Sequence, residues 1–173
     1  MTREDWEKVY IVNTKKIQNK KIAEFRYKIL NNILPCGQKV NKWNKAVSPL
    51  CNYCNMVESI SHMLFECVRV KSIWFSIRHC IKLNITLKHL VLGLDCYSVV
   101  TENKQLCISL IAYSIFSTWC KCAFDNTNYK NVNLKEEIKQ NLNFNKEVYN
   151  AVLPLKIRVN FQKLVNDIIE SLN

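Results

Sequence analysis

Within one short stretch the chain carries Cys51, Cys54, His62 and Cys67 in the pattern C-x2-C-x7-H-x4-C. Zn2+ takes four nitrogen or sulfur ligands in a tetrahedron at about 2.0–2.3 Å, and a C-x2-C pair on a tight turn supplies two of them. Pro49 just before the pair and Asn52 inside it suit such a turn. His62 and Cys67 would supply the other two ligands. On an ideal α-helix they lie about 140° apart in azimuth. The helix carrying His62 must therefore end or change course before Cys67. Four protein ligands fill the tetrahedron and leave no open position for a reacting water, so the expected site is structural.

The chain holds nine cysteines, so ordinary buried thiols and a disulfide framework are the competing readings. A disulfide framework needs an oxidising compartment. The stretch Met1-Thr-Arg-Glu-Asp-Trp6 lacks the apolar core of a signal peptide, and an odd cysteine count suits full pairing badly. The expectation is a reduced, intracellular protein, nuclear or cytoplasmic and not secreted. His62, one of only three histidines, falls where a fourth ligand is needed.

With two glycines and three prolines among 173 residues, the chain has too few turn formers for a sandwich or barrel. A 49% hydrophobic content argues for a packed core rather than a disordered tail. The expected fold is mainly α: a helical bundle with a small Cys-Cys-His-Cys zinc knuckle inserted between helices. The formal net charge of +11 calls for a polyanionic partner, by default nucleic acid. Eleven of the 25 Lys and Arg residues lie in the first 50 positions, against four acids. A coding bias toward Lys, Asn and Ile accounts for part of that charge without function.

Hydrophobic periodicity places the elements. Thr2 and Asp5 open a short helix with Trp6, Val9 and Tyr10 on its apolar side, and Asn13 to Asn19 connect it onward. Ile22, Phe25, Ile29 and Ile33, widened by Leu30, mark an amphipathic helix over about 19–34, stopped by Pro35 and Gly37 and flanked by Arg26 and Lys28. A helical turn from Lys39 to Lys45 buries Val40 and Trp43 and leaves Lys42 and Lys45 outside. Glu58 and Ser59 start a helix with Ile60, Met63 and Leu64 inward. Val70, Ile73, Trp74, Ile77 and Ile81 continue the 3.6 period to about residue 82, with Arg69, Lys71 and Arg78 on other faces.

Residues 84–104 give a mixed signal, with a bend or short extended piece around Thr86 and Val91 to Leu94. Gln105 to Cys120 carries no formal charge, yet it is shorter than the roughly 20 residues of a membrane span and is interrupted by hydroxyls. It is expected to be the buried central helix, with no membrane involved. An Asn-rich loop over 125–133 leads to a polar helix, Leu134 to Tyr149, striped by Leu134, Ile138 and Leu142. Pro154 breaks the chain, and Val159 to Leu172 closes it with Val159, Leu164, Val165, Ile168, Ile169 and Leu172 inward. The expected organisation is 1–82, basic helices plus knuckle, and 83–173, a helical part packed with the first as one unit.

Catalytic signatures are absent. The four aspartates, at 5, 95, 125 and 167, are far apart in sequence, whereas a two-metal polymerase or nuclease needs converging acids. No Gly-rich phosphate loop and no deaminase-type arrangement is present. Cys120 with Cys122, or His79 with Cys80, form a second metal site only in the less economical reading, since buried structural cysteines are commoner. His89 has no evident partner. The chain is not expected to be an enzyme.

The run Phe25-Arg-Tyr-Lys-Ile-Leu-Asn-Asn-Ile-Leu-Pro35, Lys42-Trp43, Ser48-Pro-Leu-Cys51 with Cys54, Glu58 to Cys67, and Ile73-Trp74 resembles the zinc-binding region that follows reverse transcriptase in non-LTR (LINE-type) retrotransposon polyproteins. Ser117-Thr-Trp-Cys-Lys121 extends the likeness more weakly. The resemblance implies a domain that holds template RNA or target DNA for a reverse transcriptase whose catalysis lies elsewhere. It makes Cys51, Cys54, His62 and Cys67 the metal ligands, and Phe25 and Trp74 packing residues. The polymerase and endonuclease usual in such polyproteins are absent from these 173 residues. A domesticated gene, an excised domain and a decayed fragment all fit.

The leading expectation is a Zn2+-stabilised module in which Lys39, Lys42, Lys45, Arg69 and Lys71 meet phosphates and Tyr53 stacks on a base of RNA or DNA. The alternative is a structural or protein-interaction module that presents Trp6, Tyr10 and the 134–149 helix to a polymerase domain or a second copy. A decayed fragment without present activity is the third reading. Oligomeric state and sequence preference are left open.

Overall fold

The computed structural model describes Glu7, residues 19–93 and 99–173 apart from 125–130, with the side chains of 99 and 100 left aside. The short helix expected around Trp6, Val9 and Tyr10, and most of the polar connector after it, lie outside the described residues. Among those described there are helices and no named strand; a single bridge pairs Leu50 with Val57. The mainly α expectation holds.

Helix α1, Lys20–Leu30, starts where the Asn19 side chain accepts from the Lys21 amide at 3.0 Å. Ile22, Phe25 and Ile29 turn inward as the periodicity requires. The helix ends earlier than expected because Asn32 takes a left-handed φ of 54°. That reversal throws Ile33, expected on the apolar stripe, to the surface and seats Leu34 in the core instead. Arg26 is buried rather than flanking, and its Nη2 donates to the Leu90 carbonyl at 2.9 Å. Helix α2, Gly37–Val40, is a single turn that buries Val40. Trp43, expected beneath it, is 69% exposed, because the helix stops before Trp43 can turn inward.

After the metal loop comes α3, Val68–Ile81, whose buried residues are Val70, Ile73, Trp74, Ile77 and Ile81, the set its 3.6 period names. Helix α4, Leu87–Leu92, replaces the expected bend. Thr86 and His89 cap it reciprocally: His89 Nδ1 accepts from the Thr86 amide at 3.2 Å and lies 3.0 Å from its hydroxyl. His89 therefore has a local structural job. Leu94 lies outside the described residues.

Helix α5, Val99–Phe124, begins earlier than expected and is the axis of the core. Cys107, Ile108, Leu110, Ile111, Ala112 and Ile115 are wholly buried. Its buried hydroxyls bond back along the helix, Ser109 to the Gln105 carbonyl at 2.7 Å and Ser114 to that of Leu110 at 2.8 Å, so no polar group is stranded there. Thr101–Phe124 is long and apolar enough to cross a membrane; here α6 and α7 pack against it.

Helix α6, Leu134–Val152, extends past Tyr149 and buries Asn145 and Tyr149 beyond the three stripe residues. Helix α7, Leu155–Ser171, starts directly after Pro154, so Val159 falls outside at 54% exposure and Phe161 goes in. Among the described residues, contacts join early helices to late ones. Phe25 stacks on Phe116 at 5.4 Å and meets Tyr113 edge-on at 5.6 Å, joining α1 to α5. Tyr149 meets Phe161 at 5.6 Å, joining α6 to α7, and α3 packs on α7.

Candidate metal centre

A compact hairpin-like loop brings the first two ligands together. The Cys51 amide donates to the Met56 carbonyl at 2.8 Å, and the Glu58 amide to that of Pro49 at 2.9 Å. The reversal is made by Asn55, with φ 61° and its amide on the Cys51 carbonyl at 2.8 Å. Asparagine tolerates this left-handed geometry better than other non-glycine residues.

The second half-site depends on a change of helix type. Ser59 Oγ accepts from the His62 amide at 3.0 Å and opens the turn. Residues His62–Glu66 are then wound as a π-helix, closed by the Cys67 amide on the His62 carbonyl at 2.9 Å. A five-residue step returns Cys67 to the side of His62, where an α-helix would set them far apart. At Cys67 the backbone turns extended, φ −56° and ψ 133°, before α3 begins. Trp74 locks the turn from outside: its Nε1 donates to the Leu64 carbonyl at 2.8 Å and its ring stacks on Phe65 at 5.2 Å.

The donor atoms of Cys51, Cys54, His62 and Cys67 all lie within 4.8 Å of one another. Cys51 and Cys67 Sγ are 3.9 Å apart, and Cys54 Sγ is 3.2 Å from His62 Nε2. The edge of a tetrahedron with zinc–sulfur bonds of about 2.3 Å is roughly 3.8 Å, so the Cys51–Cys67 edge already matches and the other donors close on Zn2+ with small shifts. Cys51, His62 and Cys67 are buried and Cys54 half-buried. The Cys51 thiol is pushed up to about 12, first by its hydrogen bond with Cys67 and then by burial. The same contact lowers Cys67. The pair thus holds a proton that a metal must displace. Among the described residues this is the one group of His, Cys, Asp or Glu side chains able to hold an ion; Cys120, Cys122, His79 and Cys80 form none.

Glu58, expected to start a helix, instead points inward at 6% exposure. Its Oε2 accepts from Trp119 Nε1 at 2.6 Å and from the Gly37 amide at 3.2 Å. Burial raises its carboxyl above the usual range, opposed first by the Trp119 bond. One carboxylate thereby joins the metal loop, the start of α2 and the central helix. Gly37 permits this approach: a Cβ there would stand 2.6 Å from Glu58 Oε2 and 2.6 Å from the Ser48 carbonyl. Nothing in the periodicity marked the Glu58–Trp119 bond; the one signal for Trp119 was its place in the weaker likeness over Ser117 to Lys121.

The expected phosphate-binding residues are distributed differently. Lys42, Lys45 and Lys71 are exposed. Lys39 is partly engaged, its Nζ bonding the Asn32 backbone carbonyl and, at 2.9 Å, the Asn32 side-chain oxygen. Arg69 Nη2 donates to the Val132 carbonyl, and its guanidinium lies 5.6 Å from the Tyr53 ring centroid. Tyr53 is 43% exposed with one face so occupied.

The fold and the donor set define a zinc-knuckle module built into a helical bundle. Residues 2–74 match the family described as zinc-binding in reverse transcriptase. That match ends with α3's Trp74, so the bundle of α5, α6 and α7 lies beyond it. No curated protein and no solved structure matches the chain.

Proposed function

We propose that this chain is a non-catalytic accessory module of the LINE-type reverse transcription machinery, in which Zn2+ rigidifies a basic surface that holds RNA or DNA. The observation carrying this reading is the segment Lys42-Trp43-Asn44-Lys45. Two exposed lysines there flank an indole that is 69% exposed, beside a zinc loop, on a chain of net charge +11. Tryptophan is ordinarily a highly buried residue. Basic side chains interleaved with an exposed aromatic suit a phosphate backbone and an unstacked base. Trp43 takes over the stacking role first assigned to Tyr53, and Lys71 and Arg69 extend the charge. The intracellular compartment, nuclear or cytoplasmic, follows from the reduced zinc thiolates this reading needs. A reverse transcriptase domain is the natural protein partner.

The test is fluorescence anisotropy with labelled single-stranded RNA and DNA across a salt series. Binding should weaken steeply with salt, and Lys42→Glu with Lys45→Glu should weaken it at least about tenfold while zinc content stays constant. Salt-independent binding, or an unaffected double variant, would overturn the reading.

A second reading, a protein-interaction module, is favoured by exposed apolar residues at helical spacing: Phe144, Val148 and Val152 on α6, Leu155 and Val159 on α7. A second copy would cover them in a dimer. A concentration-independent monomer in light scattering removes the second copy and leaves a polymerase domain as the partner of this face.

A further inference from the structure

Helix α3 turns its apolar face into the fold and leaves a basic and aromatic face outside. Lys71, Phe75 and Arg78 recur at i, i+4 and i+7, which keeps them within about 60° of arc. All three are exposed, Phe75 at 61%. The Arg78 guanidinium lies 4.1 Å from the Phe75 ring centroid, a preformed cation–π pair. Lys82, also exposed, ends the helix about 16 Å along the axis from Lys71.

Three features point to a polyanion. The segment from Val68 to Lys82 contains no acidic residue. Among the described residues no carboxylate pairs with Lys71, Arg78 or Lys82. And Lys82 holds a left-handed backbone, φ 58° and ψ 34°, at the position after the helix where glycine is the usual solution. That corner leaves the Lys82 side chain exposed at the end of the same face.

We propose that this face is a second nucleic-acid contact, specific for single strands. Lys71, Arg78 and Lys82 neutralise successive parts of a phosphate backbone while the Phe75–Arg78 pair offers a flat surface to an unpaired base. An A-form or B-form duplex keeps its bases stacked and cannot use that surface. The proposal rests on the reading that the chain's polyanionic partner is nucleic acid, but it places the contact beyond the zinc loop, mostly beyond the family match at 2–74.

The test measures anisotropy of labelled oligo-thymidylate and oligo-uridylate, with a blunt duplex of mixed sequence as comparison. Lys71→Ala with Arg78→Ala and Lys82→Gly should weaken single-strand binding at least about tenfold and reduce the log–log salt slope by roughly 2, at about 0.7 per lost phosphate contact. Phe75→Ala should weaken single-strand binding about fivefold or more and leave the duplex unchanged. Lys82→Gly alone guards against misfolding: it should weaken binding while the melting temperature holds or rises, since glycine relaxes the left-handed residue. Stripe variants that bind like wild type, while Lys42→Glu with Lys45→Glu does not, would overturn this proposal and leave the broader reading standing. A wild-type chain that binds neither oligonucleotide would overturn both.

Discussion

Trp119→Phe isolates the link between the metal loop and the bundle. Trp119 is 4% exposed, and its indole N–H donates at 2.6 Å to a Glu58 carboxylate that is 6% exposed. Phenylalanine keeps a ring facing Phe116 and Phe124, which now sit 6.5 and 6.1 Å from the indole, and removes only the donor and some volume. A hydrogen bond to a charged group is worth about 1.5–3 kcal/mol, and removing one partner leaves the other buried and under-satisfied. The Gly37 amide at 3.2 Å only partly compensates, so a loss of about 2–3 kcal/mol is expected. For a chain of this size that lowers the melting temperature by roughly 5–10 °C in calorimetry or circular dichroism. A double-mutant cycle sharpens the result. Glu58→Met should cost less in the Trp119→Phe background than in wild type, by more than about 1 kcal/mol, because replacing both partners by apolar groups is milder than orphaning one. A Trp119→Phe variant that melts within about 1 °C of wild type would refute the link.

Other consequences are equally direct. Gly37→Ala sets a Cβ 2.6 Å from a backbone carbonyl that cannot simply rotate away, so it should destabilise by about 1–3 kcal/mol in chemical denaturation and lower affinity for zinc. Zinc uptake should release protons, because a Cys51 thiol pushed up to about 12 is protonated at neutral pH. The sign follows: raising the pH strengthens apparent zinc affinity, by about tenfold per unit for each proton released, and a pH-independent affinity in competition titration would contradict the assignment of Cys51 as a ligand.

What was legible in the sequence follows a physical division. Periodic patterns report the inward face of a long regular helix, so the core residues of α3 and the stripe of α1 could be read off directly. Ligand spacing reported the metal centre, and the angular misfit between His62 and Cys67 foretold a change of course that the structure makes with a π-turn. Element ends were harder, because they hang on single backbone reversals. Asn32 moved Ile33 out and Leu34 in, and the early stop of α2 left Trp43 in solvent. Least legible were long-range polar contacts. Arg26 on the Leu90 carbonyl, and Glu58 on Trp119, join residues 64 and 61 positions apart, and no local pattern encodes them. The mixed signal over 84–104 concealed α4 because its cap is a Thr86–His89 pair rather than the commoner acidic one.

The central claim is that Zn2+ at Cys51, Cys54, His62 and Cys67 organises the fold, and metal content of protein purified without chelator, measured with thermal unfolding before and after chelation, tests it most directly. The account predicts about one zinc per chain, a melting temperature that falls on chelation, and loss of both in Cys54→Ser. A metal-free protein whose unfolding is indifferent to chelator and to Cys54→Ser would contradict it.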